Sequence, residues 1–131
     1  MKKAGIITVL LTSFILVYAQ DKPKPQPRTI DFTVTLVNYD GKLLTDGATK
    51  DAKPLTLGDV AVLALETSLD EDRQISGVVK FQRDQLARKI YKNKEAVLTI
   101  EEIALIRDRI GKVCTPIVVG AAWPLIDSII K

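Results

Sequence analysis

At 131 residues the chain has room for one domain with its own apolar core and no second one. Its 19 Lys and Arg against 16 Asp and Glu give +3, but Lys2 and Lys3 sit in an N-terminal targeting pattern; without them the balance is 17 to 16, which carries no global signature of nucleic-acid binding. With no histidine and one cysteine, Cys114, the chain alone cannot build a Ser-His-Asp or Cys-His nucleophile system or a structural zinc site.

Residues 1–19 read as a secretory signal. Lys2 and Lys3 form the basic start, Ala4 to Ala19 is uncharged and mostly apolar, and Val17-Tyr18-Ala19 has the small-residue spacing of a cleavage site. The apolar run is shorter than the roughly 20 residues that span a bilayer. Cleavage between Ala19 and Gln20 is therefore expected, with an exported product, periplasmic or secreted; a retained anchor is the alternative. Residues 20–29 follow as a Pro-rich spacer, with Pro23, Pro25 and Pro27 favouring an extended chain. A motif for a proline-binding partner is the other reading of that stretch. Residues 30–131 form the single globular domain.

Ile30 to Val37 alternates apolar and polar side chains, as a strand does, with Ile30, Phe32, Val34 and Leu36 on one face. Asn38-Tyr39-Asp40-Gly41 supplies a turn, and Lys42 to Thr45 is the expected return strand of a hairpin. Asn38, Asp40 and Gly41 share part of the calcium-loop pattern. Leu36 and Gly47 would then fall at the first and last ligand positions, where neither can chelate. Loop is expected from Gly47 to Lys53.

Thr56 and Asp59 spell a capping box, flanked by the staple pair Leu55 and Val60, for a helix from Leu57 to about Thr67. Its run Val60 to Leu65 is apolar all round, which predicts the most buried element. Ser68 to Ile75 reads as an acidic loop carrying Asp70, Glu71 and Asp72. Ser76 caps a second helix reaching about Lys92, with Val79, Leu86 and Ile90 as its core stripe and Val78 and Ala87 widening it. Thr99 and Glu102 repeat the capping box for a third helix, whose inner face is Ile103, Ile106, Ile110 and Val113; Gly111 is expected to weaken its end. Thr115-Pro116 starts a fourth, Ile117 to Ile130, which Pro124 should kink or split. The predicted fold is mainly α with a small N-terminal β element: a strand or hairpin followed by three or four short helices. Cys114, among Val113, Pro116 and Ile117, is expected to be a buried thiol; an intermolecular bridge is the alternative.

Three features bear on function. The segment from Gly77 to Lys94 has six basic residues and one acid, so Lys80, Arg83, Arg88, Lys89 and Lys92 form a candidate interaction face for a protein partner or an anionic surface, with a solvated helix face as its plain reading. It lacks the interleaved aromatics of a nucleic-acid groove apart from Phe81 and Tyr91, and export separates it from most nucleic acid. Ile117, Val118, Trp123, Ile126 and Ile130 form a candidate apolar patch that either completes the core or supports self-association. Glu101 and Glu102 are adjacent acids, and Ser76 and Lys80 lie one helical turn apart. Both read better as helix-start chemistry than as an acid–base pair or a Ser-Lys dyad. No cofactor or metal is expected.

Several stretches resemble small uncharacterised proteins encoded in bacteriophages and prophages. These are Asp40 to Leu44, Leu55 to Ala61, Leu98 to Ile106, Ile110 to Lys112, Pro116 to Gly120 and Trp123. The resemblance implies a small structural or accessory protein and no activity, and the signal peptide departs from it. The expectation is an exported, non-catalytic protein that acts by binding another macromolecule. A phage-type assembly accessory and a small carboxylate-dependent hydrolase are the alternatives.

Overall fold

In the computed structural model, which describes residues 26–128, the first regular element is a short strand, β1 (Arg28–Asp31). It takes in Arg28 and Thr29, which sequence assigns to the spacer. The signal and the rest of the spacer lie outside the described residues, as does Ile130. The order continues with α1 (Leu57–Glu66), a 3₁₀ turn (Asp70–Gln74), α2 (Gly77–Lys92), β2 (Glu95–Leu98), α3 (Ile100–Val113) and α4 (Pro116–Asp127). The expected class is therefore observed: mainly helical, with one two-stranded antiparallel sheet among the described residues.

The sheet corrects the expected pairing. The partner of β1 is β2, which sequence does not announce, and the register sets Ile30 opposite Ala96 and Asp31 opposite Glu95. Regular strand ends at Asp31 instead of Val37. The Asp31 carboxylate accepts from the Thr33 N–H at 2.9 Å and hydroxyl at 2.6 Å, a local turn that competes with the ladder. The alternation survives in burial at Ile30, Phe32 and Leu36, while Val34 is turned outward. The hairpin is reduced to an isolated bridge between Val37 and Leu43, closed by the Asn38 N–H on the Lys42 carbonyl at 2.7 Å. Gly41 takes φ +84° in that turn, a conformation that penalises any side chain.

Both capping boxes form as the sequence spells them. Asp59 N–H donates to Thr56 Oγ1 at 3.1 Å, and Glu102 N–H to Thr99 Oγ1 at 3.1 Å, with each acid reaching back to the cap N–H. The Ser76 hydroxyl accepts from Val79 N–H, which fixes it as a cap. Thr115 occupies the cap position of α4 without a side-chain hydrogen bond, so Pro116 alone sets that start.

The core joins Leu57, Val60, Ala61, Ala64 and Leu65 of α1 to Leu86, Ala87 and Ile90 of α2, Ile103, Ile106 and Ile110 of α3, and Ala122 and Ile126 of α4. Helix α1 packs against both α2 and α3, and α3 carries α4 on its other side. It is not buried all round, since Leu63 is 58% exposed. Val78 and Val79 likewise turn outward, so the inner stripe of α2 begins further along than expected. The expected acidic loop is the 3₁₀ turn.

Neither Gly111 nor Pro124 interrupts its helix. A Cβ on Gly111 would lie 2.8 Å from Trp123 Cζ2, so the glycine is where α4 seats its indole, not a weak end. Pro124 forfeits one hydrogen bond, but Ala122 and Ile126 on either side are fully buried and hold the turn against the core. Trp123 Nε1 donates to the Arg107 carbonyl, the Arg107 guanidinium lies 3.7 Å from the ring centroid, and the same guanidinium forks onto Asp127 at 2.9 and 3.2 Å. Among the described residues no helix is long and apolar enough to cross a membrane.

Candidate functional site

The five basic residues singled out on α2 do not form one free surface. Arg83 turns inward: its Nη1 donates to Asp72 Oδ1 at 2.8 Å and its side chain is only 15% exposed. The wheel already contains that answer, because Arg83 precedes Leu86 by three and Ala87 by four and lies within the core stripe. Arg88 is tied to Asp84 at 2.6 Å on its own helix, and Lys89 to Glu102 of α3 at 3.1 Å. Lys80 and Lys92 are exposed and have no ion-pair partner among the described residues.

The charge that reaches furthest into the protein is one sequence inspection passes over. Arg109 is fully buried on α3. It donates from Nη2 to the Thr67 carbonyl at 2.6 Å and to Asp72 Oδ2 at 3.1 Å, and from Nε to the Ala64 carbonyl at 3.2 Å. Helix α1 has no basic residue in its last turn, so Arg109 supplies from another helix the cation that the carbonyl end attracts. Asp72, also buried, takes hydrogen bonds from the Leu69 N–H, Arg83 and Arg109. The Leu69 N–H and the Arg83 hydrogen bond, with both guanidinium charges, hold its carboxyl at about 2 against the opposing effect of burial. Of the acidic turn, Asp72 thus balances charge in the protein's interior, while Asp70 and Glu71 pair with Arg73 and Lys112 at the surface. The signal was present in the spacing: Arg109 follows Ile106 by three and precedes Val113 by four, a charged residue in an apolar stripe.

The candidate apolar patch divides. Ile126 is in the core and Val118 and Trp123 are half-buried, leaving Ile117 as the more open member of the described ones. Cys114 is half-buried rather than fully so, and burial raises its thiol pKa, which keeps it protonated and weakly nucleophilic.

Three surface depressions stand out, one of them, about 370 Å³, where Phe32, Gly58 and Asn93 come together. The larger of the remaining two, about 470 Å³, is an open groove between α2 and the first turns of α3. Leu86 and Leu105 line it, Phe81 stands at its edge 63% exposed, and the Lys89–Glu102 pair and Glu101 give it a polar rim. Val78, Phe81, Gln82, Gln85, Lys89 and Lys92 fall within about 100° of arc on α2, a second stripe beside the core stripe. The other depression, along α1 and α2, includes Val62, Glu66, Arg88 and the exposed ring of Tyr91. There burial raises the Glu66 pKa and the adjacent Asp84 raises it further, while the Arg88 hydrogen bond lowers that of Asp84. No protein-family model, curated protein or solved structure matches the chain.

Proposed function

We propose that this is an exported, non-catalytic protein that works by binding another macromolecule, and that the contact is the groove between α2 and α3. One observation carries the reading. Phe81 and Val78 stand 63% and 66% exposed beside a groove lined with Leu86 and Leu105. Exposed apolar side chains beside a groove with a charged rim suit a protein contact. An electrostatic contact has less support, because Arg83, Arg88 and Lys89 are each already paired with an acid of the same chain. Export rests on the N-terminal pattern, and mass spectrometry of the released protein should find Gln20 at its start.

Affinity capture with the processed protein tests the contact. Phe81→Asp should lose the captured partner at an unchanged thermal midpoint, whereas Lys80→Glu with Lys92→Glu should retain it. Retention by Phe81→Asp with loss in the lysine variant would replace the groove with an electrostatic surface.

A second reading, carboxylate-dependent hydrolysis, has the Glu66–Asp84 pair in its favour, since neighbouring acids whose pKa values are pushed apart suit the roles of acid and base. Turnover of chromogenic glycosides or esters that disappears in Glu66→Gln would establish it, and no turnover across such a panel would end it.

A further inference from the structure

We propose that the Asp46–Gly47 bond is a site of spontaneous covalent modification: the folded protein converts Asp46 to isoaspartate and spares its other Asp-Gly pair, Asp40–Gly41. The Gly nitrogen attacks the side-chain carbonyl carbon of the protonated acid. A C–N bond forms, and the carboxyl hydroxyl leaves as water with the amide proton. A second water then opens the succinimide at the original main-chain carbonyl. The chain now runs through the side-chain carbon, and the former main-chain carbonyl becomes the free carboxylate. Water is lost and regained, no oxidant or cofactor takes part, and the product is an isomer of the starting protein. Glycine permits the ring closure because it has no Cβ to crowd the attacking nitrogen.

The two pairs share the setting of the acid and differ at the nucleophile. Each carboxylate accepts one backbone N–H, Asp40 from Lys42 at 3.0 Å and Asp46 from Lys53 at 2.9 Å. The Gly41 N–H, however, donates to the Asn38 carbonyl at 3.0 Å, and Gly41 is held at φ +84° in the turn that Asn38 and Lys42 close. Ring closure at Asp40 has to break that turn. The Gly47 N–H has no hydrogen-bond partner among the described residues, and a Cβ on Gly47 would meet nothing within 4 Å. Both the nitrogen and the space around it are open to the attack.

Isoaspartate adds a methylene to the main chain at the neck of the 46–53 loop. Two hydrogen bonds make that neck: Asp46 N–H to the Lys53 carbonyl at 3.0 Å, and Lys53 N–H to the Asp46 carboxylate. Both are lost on conversion. The next rung, Leu55 N–H on the Leu44 carbonyl at 2.8 Å, and the core beneath it stay in place. The modification therefore opens the loop around the exposed Lys50 without unfolding the domain.

Ageing the purified protein in mildly acidic buffer, followed by tryptic mapping, tests this. Cleavage after Arg28, Lys42 and Lys50 puts Asp40 in residues 29–42 and Asp46 in residues 43–50. Electron-transfer fragmentation and methyl transfer by an isoaspartyl methyltransferase then read each position. Isoaspartate should form at Asp46 about tenfold faster than at Asp40, the factor that one retained hydrogen bond puts on a barrier. Gly47→Ala, which the open space admits, should slow conversion of Asp46 at an unchanged thermal midpoint. Unfolding in urea should bring the two acids to similar rates. Folded protein that converts Asp40 as fast as Asp46, or neither acid while the unfolded chain converts both, overturns the assignment. So does a preference for Asp46 that persists in urea. Trypsin should cut after Lys50 sooner in aged than in fresh protein, and equal rates would overturn the opening of the loop.

Discussion

The Arg109 guanidinium and the Asp72 carboxylate close on one another at 3.1 Å across 37 residues of sequence, both almost wholly removed from water. The pair does more than offset two charges. Asp72 also binds the Leu69 N–H, which starts the 3₁₀ turn, and Arg109 also binds the Ala64 and Thr67 carbonyls, which end α1. One contact thereby fixes where α1 stops, how the turn leaves it and where α3 lies. Arg83 joins the same carboxylate from α2, so this acid, together with the Lys89–Glu102 pair, ties the helices that form the groove walls to one another.

Removing Arg109 takes one of two guanidinium partners from a buried carboxylate and leaves two helix-end carbonyls without their side-chain donor. Arg109→Met should lower stability by about 3–5 kcal/mol, read from urea unfolding. Arg109→Lys should recover little of it, because a point charge cannot serve Ala64, Thr67 and Asp72 together. A loss within the ordinary surface range, below about 0.5 kcal/mol, would contradict this role.

Acid should reach the same cluster. The Asp72 carboxyl is held at about 2, below its unfolded value near 3.9, so the folded state releases this proton more readily than the unfolded one. The stabilisation is complete above the unfolded value and is lost as pH falls from about 4 through about 2. Urea midpoints measured across that interval should decline steeply in the wild type and less steeply in Asp72→Asn. Identical slopes would remove Asp72 from the acid response.

Gly111 is a packing position. Gly111→Ala, ordinarily favourable within a helix, should instead cost about 1–3 kcal/mol, because its methyl carbon would meet the Trp123 ring at 2.8 Å. Pairing it with Trp123→Leu should make the alanine neutral or stabilising, and a double-mutant cycle measures that coupling. Simple additivity would show that the contact does not control α4.

Much of the helical scaffold was legible because its signals are local. Thr56 with Asp59, Ser76, Thr99 with Glu102, and Pro116 mark four helix starts, and each marks one in the structure. The 2- and 3.6-residue periods also placed most of the core, including Ile30, Phe32, Leu86, Ile103 and Ile106. What escaped depends on partners distant in sequence. Glu95–Leu98 is too short to declare itself a strand until Arg28–Asp31 lies beside it. Gly111 looks like a breaker until Trp123 is packed on it. Arg83, read as part of a basic face, and Asp72, read as part of an acidic loop, are drawn inward by each other and by Arg109. The groove has the same origin, since Phe81 and Leu86 on α2 line nothing until α3 brings Leu105 alongside.

Photo-crosslinking in the producing cells tests the groove most directly. A photoreactive phenylalanine analogue at position 81 should yield discrete adducts with a defined macromolecule, a second copy of this chain included. The same analogue at position 91, where the ring is 84% exposed but lies outside the α2–α3 groove, should yield none. Adducts at 91 with none at 81 would contradict the account, moving the working surface to the other side of α2.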